Sequence, residues 1–136
     1  MIIVVDANII SALLGSRGKL TILTSQNHIF YAPKTIVKEI RKYKSEICEK
    51  SGQSPAEFDV NFDAVLAFIT EIDPIEYEPH VKDAYNAIGR RDSKDTDYLA
   101  CALAVHAAFI WTEDKDFSSQ NLVAVKSTDS FIQSGR

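Results

Sequence analysis

The fold is decided by Ile2-Ile3-Val4-Val5-Asp6-Ala7-Asn8. Its continuous run of β-branched and apolar residues, with no polar alternation, is typical of a strand buried on both faces of a parallel sheet. After Asp6, apolar residues recur at helical spacing, and Gly15 is placed to end that helix. A buried strand that leads directly into a helix predicts an α/β protein.

The same alternation continues along the chain. Further strands are predicted at residues 28–32, 71–74, 109–111 and 122–125. Helices are predicted at residues 9–14, 21–25, 36–48, 56–69, 79–88, 96–107 and 127–133. Pro33 precedes the third in a position that helices favour early on, and Thr35 is its candidate N-cap. Residues 51–55 and 90–97 are predicted as polar loops. This order predicts a parallel sheet covered by helices on both faces, in a single domain of residues 1–136.

Length and composition fit one ordinary globular domain. The 136 residues are 46% apolar and 25% charged, which is enough for a core without disulfides. Cys48 and Cys101 are isolated, so we expect both to be reduced and structural. No apolar run approaches the roughly 20 residues that cross a bilayer, and the N-terminus lacks the basic region of a signal peptide. We therefore expect a cytoplasmic protein with no membrane partner.

Net charge limits the choice of partners only weakly. The value of −4 argues against broad, nonspecific binding of nucleic acids, which usually requires a basic balance. It does not exclude a nucleic-acid enzyme, because a site made of carboxylates lowers the net charge and bound cations restore the local sign.

Carboxylates are the chemical signal in this sequence. In an open parallel sheet, ligands bind beyond the carboxyl ends of the strands. Carboxylates that meet there without cations repel one another, and a fold normally tolerates this when a metal ion binds among them. All-oxygen ligation suits Mg²⁺ or Mn²⁺. The acidic residues predicted to reach this edge are Asp6, Glu39, Asp92, Asp95, Asp97, Asp114 and Asp116.

Each of these carboxylates has an ordinary structural alternative. Asp6 could serve only as a helix N-cap, and Asp95 or Asp97 only as caps or dipole partners of the next helix. The aspartates after the strand at residues 109–111 could be turn residues, and Glu39 could be solvated or paired on its own helix. The joint pattern favours a metal site over these separate explanations. The sequence contains no histidine metal spacing, nucleophile triad or phosphate loop.

At these residues the sequence resembles the PIN-domain family, a nuclease fold named after the N-terminal domain of a pilus-associated protein. Any one motif is weak, but four occur in order over nearly the whole chain. They are Val5-Asp6-Ala7-Asn8, Glu39, Asp95-Thr96-Asp97-Tyr98-Leu99-Ala100 and Trp111-Thr112-Glu113-Asp114-Lys115-Asp116-Phe117. The resemblance is to the compact VapC-type toxin ribonucleases, and it implies a PIN-like α/β fold with a central parallel sheet.

The resemblance also implies an activity, namely endonucleolytic cleavage of RNA phosphodiester bonds with Mg²⁺ or Mn²⁺. It implies the catalytic carboxylates Asp6, Glu39, Asp97 and Asp114, with metal bound by Asp6, Asp97, Asp114, Asp95 and Asp116. Asp97 is slightly favoured over Asp95 as the third carboxylate, because it directly precedes the predicted helix, whereas Asp95 fits by its spacing to Tyr98. Asn8 and Thr112 would be polar neighbours of the metal, and the candidate phosphate contacts are Arg90, Arg91, Lys94 and Lys115.

The family resemblance further implies partners. A small antitoxin protein and a homodimer are usual among such proteins. The alternative function is a catalytically weak or inactive PIN-like module that binds RNA or protein. A phosphatase with an aspartate nucleophile would need Asp-x-Asp after the first strand, where this chain has Asn8. Residues 44–61 have no match in the shortest family members, and they are expected to hold a polar loop.

Overall fold

The computed structural model describes residues 1–15, 20–24, 27–88 and 93–134. In this part of the chain, five parallel strands form one sheet in the order β3-β2-β1-β4-β5. The strands are β1 (Ile2–Val5), β2 (Ile29–Pro33), β3 (Ile69–Ile72), β4 (Phe109–Trp111) and β5 (Val125–Lys126). The flanking helices are α1 (Ala7–Leu14), α2 (Leu20–Leu23), α3 (Ile36–Lys42), α4 (Lys44–Ser51), α5 (Pro55–Leu66), α6 (Pro74–Tyr77), α7 (Val81–Ile88), α8 (Ser93–Ala104) and α9 (Thr128–Ser134), with short 3₁₀ helices at Glu78–His80 and Lys115–Ser119. The predicted α/β class with a parallel sheet is confirmed.

The strand order places a crevice between β1 and β4. Ile3 pairs with Phe30 of β2 on one side and with Phe109 of β4 on the other. The chain leaves β1 towards β2 and β3, then returns to the opposite side of β1 as β4 and β5. This reversal is a topological switch point, where ligands bind beyond the carboxyl ends of the strands.

The core holds the two central strands firmly. Ile3, Val4 and Val5 are completely buried, as is Trp111 at the end of β4. The Trp111 ring packs edge-on against Phe131 of α9, with centroids 5.0 Å apart, and its indole N–H donates to Thr128 at 3.0 Å. The carboxyl ends of β1 and β4 are therefore rigid supports for side chains that follow them. No helix in the described ranges is long and apolar enough to cross a membrane.

Boundaries after β1 and before β4 differ from the prediction at several places. Pro33 is the last residue of β2 rather than an early helical residue. Because β2 pairs with β1 only as far as Tyr31, the absence of an N–H group on Pro33 removes no hydrogen bond between these two strands. Thr35 precedes α3 but makes no side-chain capping bond. The predicted helix at residues 36–48 is two helices, α3 and α4, that break at Tyr43.

The polar loop predicted at residues 51–55 is present as residues 52–54, and the rest of the segment 44–61 belongs to α4 and α5. Gly52 ends α4 in the left-handed conformation (φ 73°), and Ser54 begins α5 with a capping box to Glu57. The helix predicted at residues 56–69 ends at Leu66, and Ile69 starts β3, because buried apolar residues continue at a compatible spacing from the helix into the strand.

Two further boundaries shift near the predicted site. The loop predicted at residues 90–97 is already helix from Ser93 onwards, so both aspartates of the 95/97 pair lie in the first turns of α8. The first residues of α8 are mostly polar and show no apolar periodicity, so the sequence did not indicate a helix there. The last strand is β5 at Val125–Lys126, shorter and later than the predicted residues 122–125.

Candidate active site

Asp6 stands at the carboxyl end of β1 and caps α1. Its side chain is buried, and its two oxygens accept hydrogen bonds from the Ala7 amide at 2.7 Å and from the Thr112 hydroxyl at 2.6 Å. Burial raises the pKa of Asp6 from an ordinary 3.8 to about 6. The negative charges of Glu39 and Asp114 add to the rise in this pKa, whereas the two hydrogen bonds oppose it. A carboxylate so placed gains stability from a nearby cation.

The Thr112 hydroxyl joins the ends of β1 and β4. Besides donating to Asp6, its oxygen accepts the Asp114 amide at 2.9 Å and the Asn8 side-chain amide at 3.4 Å. The Asp114 side chain in turn accepts the Asp116 amide at 2.9 Å and caps the 3₁₀ helix. Asn8 and Thr112 thus occupy the positions of polar neighbours to the acidic residues.

Glu39 is held by α8 rather than by its own helix. The buried Tyr98 hydroxyl donates to Oε2 of Glu39 at 3.1 Å, and Nζ of Lys94 lies 3.7 Å from Oε1. Burial and the Glu39 charge raise the pKa of Tyr98, so its hydroxyl stays protonated and remains a donor. Burial, and then Glu39, also raises the pKa of Asp97. Glu39 and Asp97 therefore form one side of the acidic group.

Asp95 lies on the other side of this group. Carboxylate oxygens of Asp95, Asp114 and Asp116 lie within 4.8 Å of one another. Because Asp95 and Asp97 are two residues apart on α8, they point to different sides of the helix. The structure therefore places Asp95 with the aspartates after β4 and Asp97 with Glu39.

The donor set fits a hard divalent cation. Among the described residues, β1, α3, α8 and the segment after β4 each bring a carboxylate to this site, and Mg²⁺ and Mn²⁺ prefer oxygen ligands. The raised pKa of Asp6 reflects burial first and then the negative charges of Glu39 and Asp114, and a bound cation would oppose both effects.

Comparison with known proteins agrees with this fold. A family model described as PIN domain matches residues 4–133. The chain belongs to the PIN-domain family. PIN-domain proteins are nucleases. The fold is also similar to a chain in the crystal structure of VapBC2 from Rickettsia felis bound to a DNA fragment from their promoter, with a TM-score of 0.66 and 15% identity over 93% of this chain and 98% of that one. No curated protein matches significantly.

Two clefts flank the acidic residues of this PIN domain. The larger, about 540 Å³, is lined by Glu39 and Asp97 together with Lys94. The smaller, about 180 Å³, is lined by Asp114 and Lys115. Lys94 and Lys115, two of the candidate phosphate contacts, thus lie in different clefts on either side of the carboxylates. The other two candidates, Arg90 and Arg91, lie outside the described residues, as does the acidic residue Asp92.

Tyr98 is the site residue that the sequence did not assign. It stood inside a family motif, but an aromatic residue in an alanine-rich helix is usually core, and Tyr98 is indeed almost fully buried. Its function lies in the single polar atom that reaches Glu39 from a different helix. A contact between residues 59 positions apart has no signal in local spacing.

Proposed function

We propose that this PIN domain is a Mg²⁺- or Mn²⁺-dependent endoribonuclease. The observation that carries the proposal is the meeting of carboxylates from four separate segments at the switch point between β1 and β4. Membership of the PIN-domain family supports nuclease chemistry. The choice of RNA as substrate and of these metals comes from the family resemblance.

The residues that would hold metal are Asp6, Asp95, Asp114 and Asp116. When bound, a divalent cation supplies positive charge that lowers the pKa of water and neutralises charge developing on the phosphate. Thr112 fixes Asp6 through one oxygen, so the orientation of this carboxylate is set before any ligand arrives. Tyr98 fixes Oε2 of Glu39, and Oε1, which lies 3.7 Å from Nζ of Lys94, would accept a hydrogen bond from the attacking water.

The two aspartates of α8 are proposed to have different roles. Asp95 belongs with Asp114 and Asp116 as a metal ligand, whereas Asp97 acts beside Glu39 on the water or substrate. This reverses the slight preference for Asp97 that the sequence motif gave. Asp95→Asn should weaken Mn²⁺ binding measured by calorimetry, while Asp97→Asn should lower cleavage at saturating Mn²⁺ with little change in affinity. The opposite pattern would make Asp97 the third ligand.

The activity is tested on a mixed pool of fluorescent RNAs. Purified protein is incubated with Mg²⁺, with Mn²⁺ or with EDTA, beside Asp6→Asn. We expect metal-dependent cleavage that Asp6→Asn abolishes, because the variant loses a buried carboxylate at the centre of the site. An absence of cleavage with either metal, by a protein whose circular dichroism shows the native fold, would favour the inactive RNA- or protein-binding module instead.

The biological role proposed with this activity is that of a toxin restrained by a small antitoxin protein. The fold likeness to VapBC2 and the family resemblance support it. Expression of the wild type alone should arrest bacterial growth, and Asp6→Asn should not. Light scattering coupled to gel filtration tests the homodimer that the resemblance implies. Growth unaffected by a wild type that cleaves RNA in vitro would refute the toxin role alone.

A further inference from the structure

The larger cleft beside the carboxylates has a basic wall on α3. Lys38 and Lys42 line this cleft together with Glu39 and Asp97. Residues three and four positions apart on a helix share one face, so Lys38 and Lys42 lie one turn apart along the same wall. Both lysines are exposed. The wall therefore presents positive charge directly next to the acidic site.

These two lysines differ from the other cations in this region. Arg41 and Lys44 both contact Oδ1 of Asp59, at 3.6 and 2.8 Å. Lys38 and Lys42 form no ion pair with any residue in the described ranges. Like charges four positions apart destabilise a helix, so the pair Lys38 and Lys42 lowers the stability of α3. Acidic residues outnumber basic ones in this chain, whose net charge is −4. Cations left unpaired beside a nuclease site are suited to phosphate groups.

Tyr43 extends the wall with an exposed aromatic ring. It stands at the break between α3 and α4 and is 40% exposed. The ammonium groups of Lys42 and Lys94 each lie 5.8 Å from its ring centroid. Tyr43 itself is not in the lining of the cleft, but both flanking lysines are. An exposed aromatic ring beside cations is suited to single-stranded nucleic acids, through stacking on a base and contacts to the backbone.

We propose that single-stranded RNA lies along this α3 face, defined by Lys38, Lys42 and Tyr43. Lys38 and Lys42 bind successive phosphates, and Tyr43 stacks on an unpaired base, so the strand is led to Glu39. The inference rests on the nuclease activity proposed above. A duplex is excluded as the occupant because its bases are stacked inside and cannot reach the ring. An acidic peptide is disfavoured because it would meet the carboxylates of the same cleft and gain nothing from base stacking.

The phosphate contacts are tested by salt dependence. Anisotropy of a fluorescein-labelled oligouridylate gives the binding constant over a salt series in EDTA, where no cleavage occurs. Lys38→Ala and Lys42→Ala should each reduce the slope of log K against log salt by about 0.7, the value for one contact on a single strand. Lys82→Ala is the matched control, because Lys82 is an exposed lysine on α7 that lines none of the clefts described above, and it should leave the slope unchanged.

The stacking contact is tested separately. Tyr43→Ala should weaken binding between about fivefold and a hundredfold without changing the salt slope, and Tyr43→Phe should restore it. Tyr85→Ala is the control, since Tyr85 on α7 is exposed to a similar extent, 43%, and should bind like the wild type. Circular dichroism confirms the fold of each variant, and glutamine replaces alanine wherever a lysine variant fails to fold.

The remaining outcomes separate this inference from the activity it rests on. A wild type that cleaves RNA, with α3-face variants that bind like their controls, would overturn the α3 face and leave the nuclease standing. A wild type that neither binds nor cleaves RNA would overturn both. The single-strand assignment would be wrong if the same variants lost affinity for a duplex RNA to an equal extent. It would also be wrong if a polyglutamate peptide bound in a manner dependent on Lys38 and Lys42 while the oligouridylate did not.

Discussion

Replacing Asp6 by asparagine removes a buried negative charge while keeping the shape of the side chain. Burial raises the pKa of Asp6 to about 6, so at neutral pH the metal-free protein holds a carboxylate that its surroundings would prefer to be protonated. The asparagine cannot ionise, and its carbonyl oxygen can still accept the Ala7 amide. The variant should therefore be inactive yet more resistant to unfolding than the wild type at neutral pH.

The size of the effect follows from linkage between protonation and folding. The difference between about 6 in the folded protein and 3.8 in the unfolded chain corresponds to about 3 kcal/mol, at roughly 1.36 kcal/mol for each pKa unit. Because the folded pKa of Asp6 is the higher one, its stabilising contribution is present below about pH 3.8 and is lost as the pH rises through 6. The free energy of unfolding of the variant minus that of the wild type should grow by up to about 3 kcal/mol over this window.

Urea denaturation of both proteins in EDTA, at several pH values from about 4 to 7.5, measures this difference directly. Comparing the two proteins at each pH cancels the contribution of the other titrating groups to the free energy of unfolding. A difference in this free energy that does not vary with pH is also expected, because the Thr112 hydroxyl loses its charged acceptor in the variant. Addition of Mn²⁺ should then narrow the difference by stabilising only the wild type. A difference that stays flat with pH, or that falls as pH rises, would refute the account of Asp6.

Three other predictions concern stability. Thr112→Val removes the hydroxyl that donates to Asp6, so it should lower the free energy of unfolding by about 2 kcal/mol and raise the pKa of Asp6, with Thr112→Ser as the control in a urea titration. Burial lowers the pKa of His28, which packs edge-on against Phe131, so wild-type stability should fall relative to His28→Phe as the pH drops below 6.5; equal pH profiles would contradict this. Ser54→Ala breaks the capping box of α5 and should cost about 1 kcal/mol by thermal melting, whereas Ser54→Thr should cost less.

The elements that could be predicted are those whose residues face one environment throughout. β1 and β4 are buried on both faces, so a short unbroken apolar run sufficed, and their bounds agree with the structure. The end of α1 at Gly15 also agrees, since a glycine after an apolar periodicity is a strong stop signal. Such local signals predicted the type and order of the helices and strands. The alternation of strands with helices then predicted that the strands pair in parallel.

The boundaries that failed depend on tertiary contacts. No local signal marks the break at Tyr43 between α3 and α4, because Ile36 to Cys48 carries a helical apolar spacing throughout. The start of α8 differs from the prediction because its first turn is polar and acidic and lacks the apolar periodicity that identifies helices. The sequence predicted that the acidic residues meet at one edge of the sheet. It did not predict that Asp95 lies with Asp114 and Asp116 whereas Asp97 lies near Glu39.

Net charge misleads in this protein because charge is distributed unevenly around the switch point. The acidic residues follow the buried carboxyl ends of β1 and β4 and are linked by the Thr112 hydroxyl, so the fold tolerates carboxylates that repel one another. Lys38 and Lys42 of α3, which form no ion pair within the described residues, stand on the wall of the adjoining cleft, where a phosphate would meet positive charge before it reaches the carboxylates. The net charge of −4 does not reveal this arrangement, because the attraction of a phosphate depends on the charges within a Debye length of about 8–10 Å and not on the sum over the chain. An acidic protein can therefore be built to act on an acidic polymer.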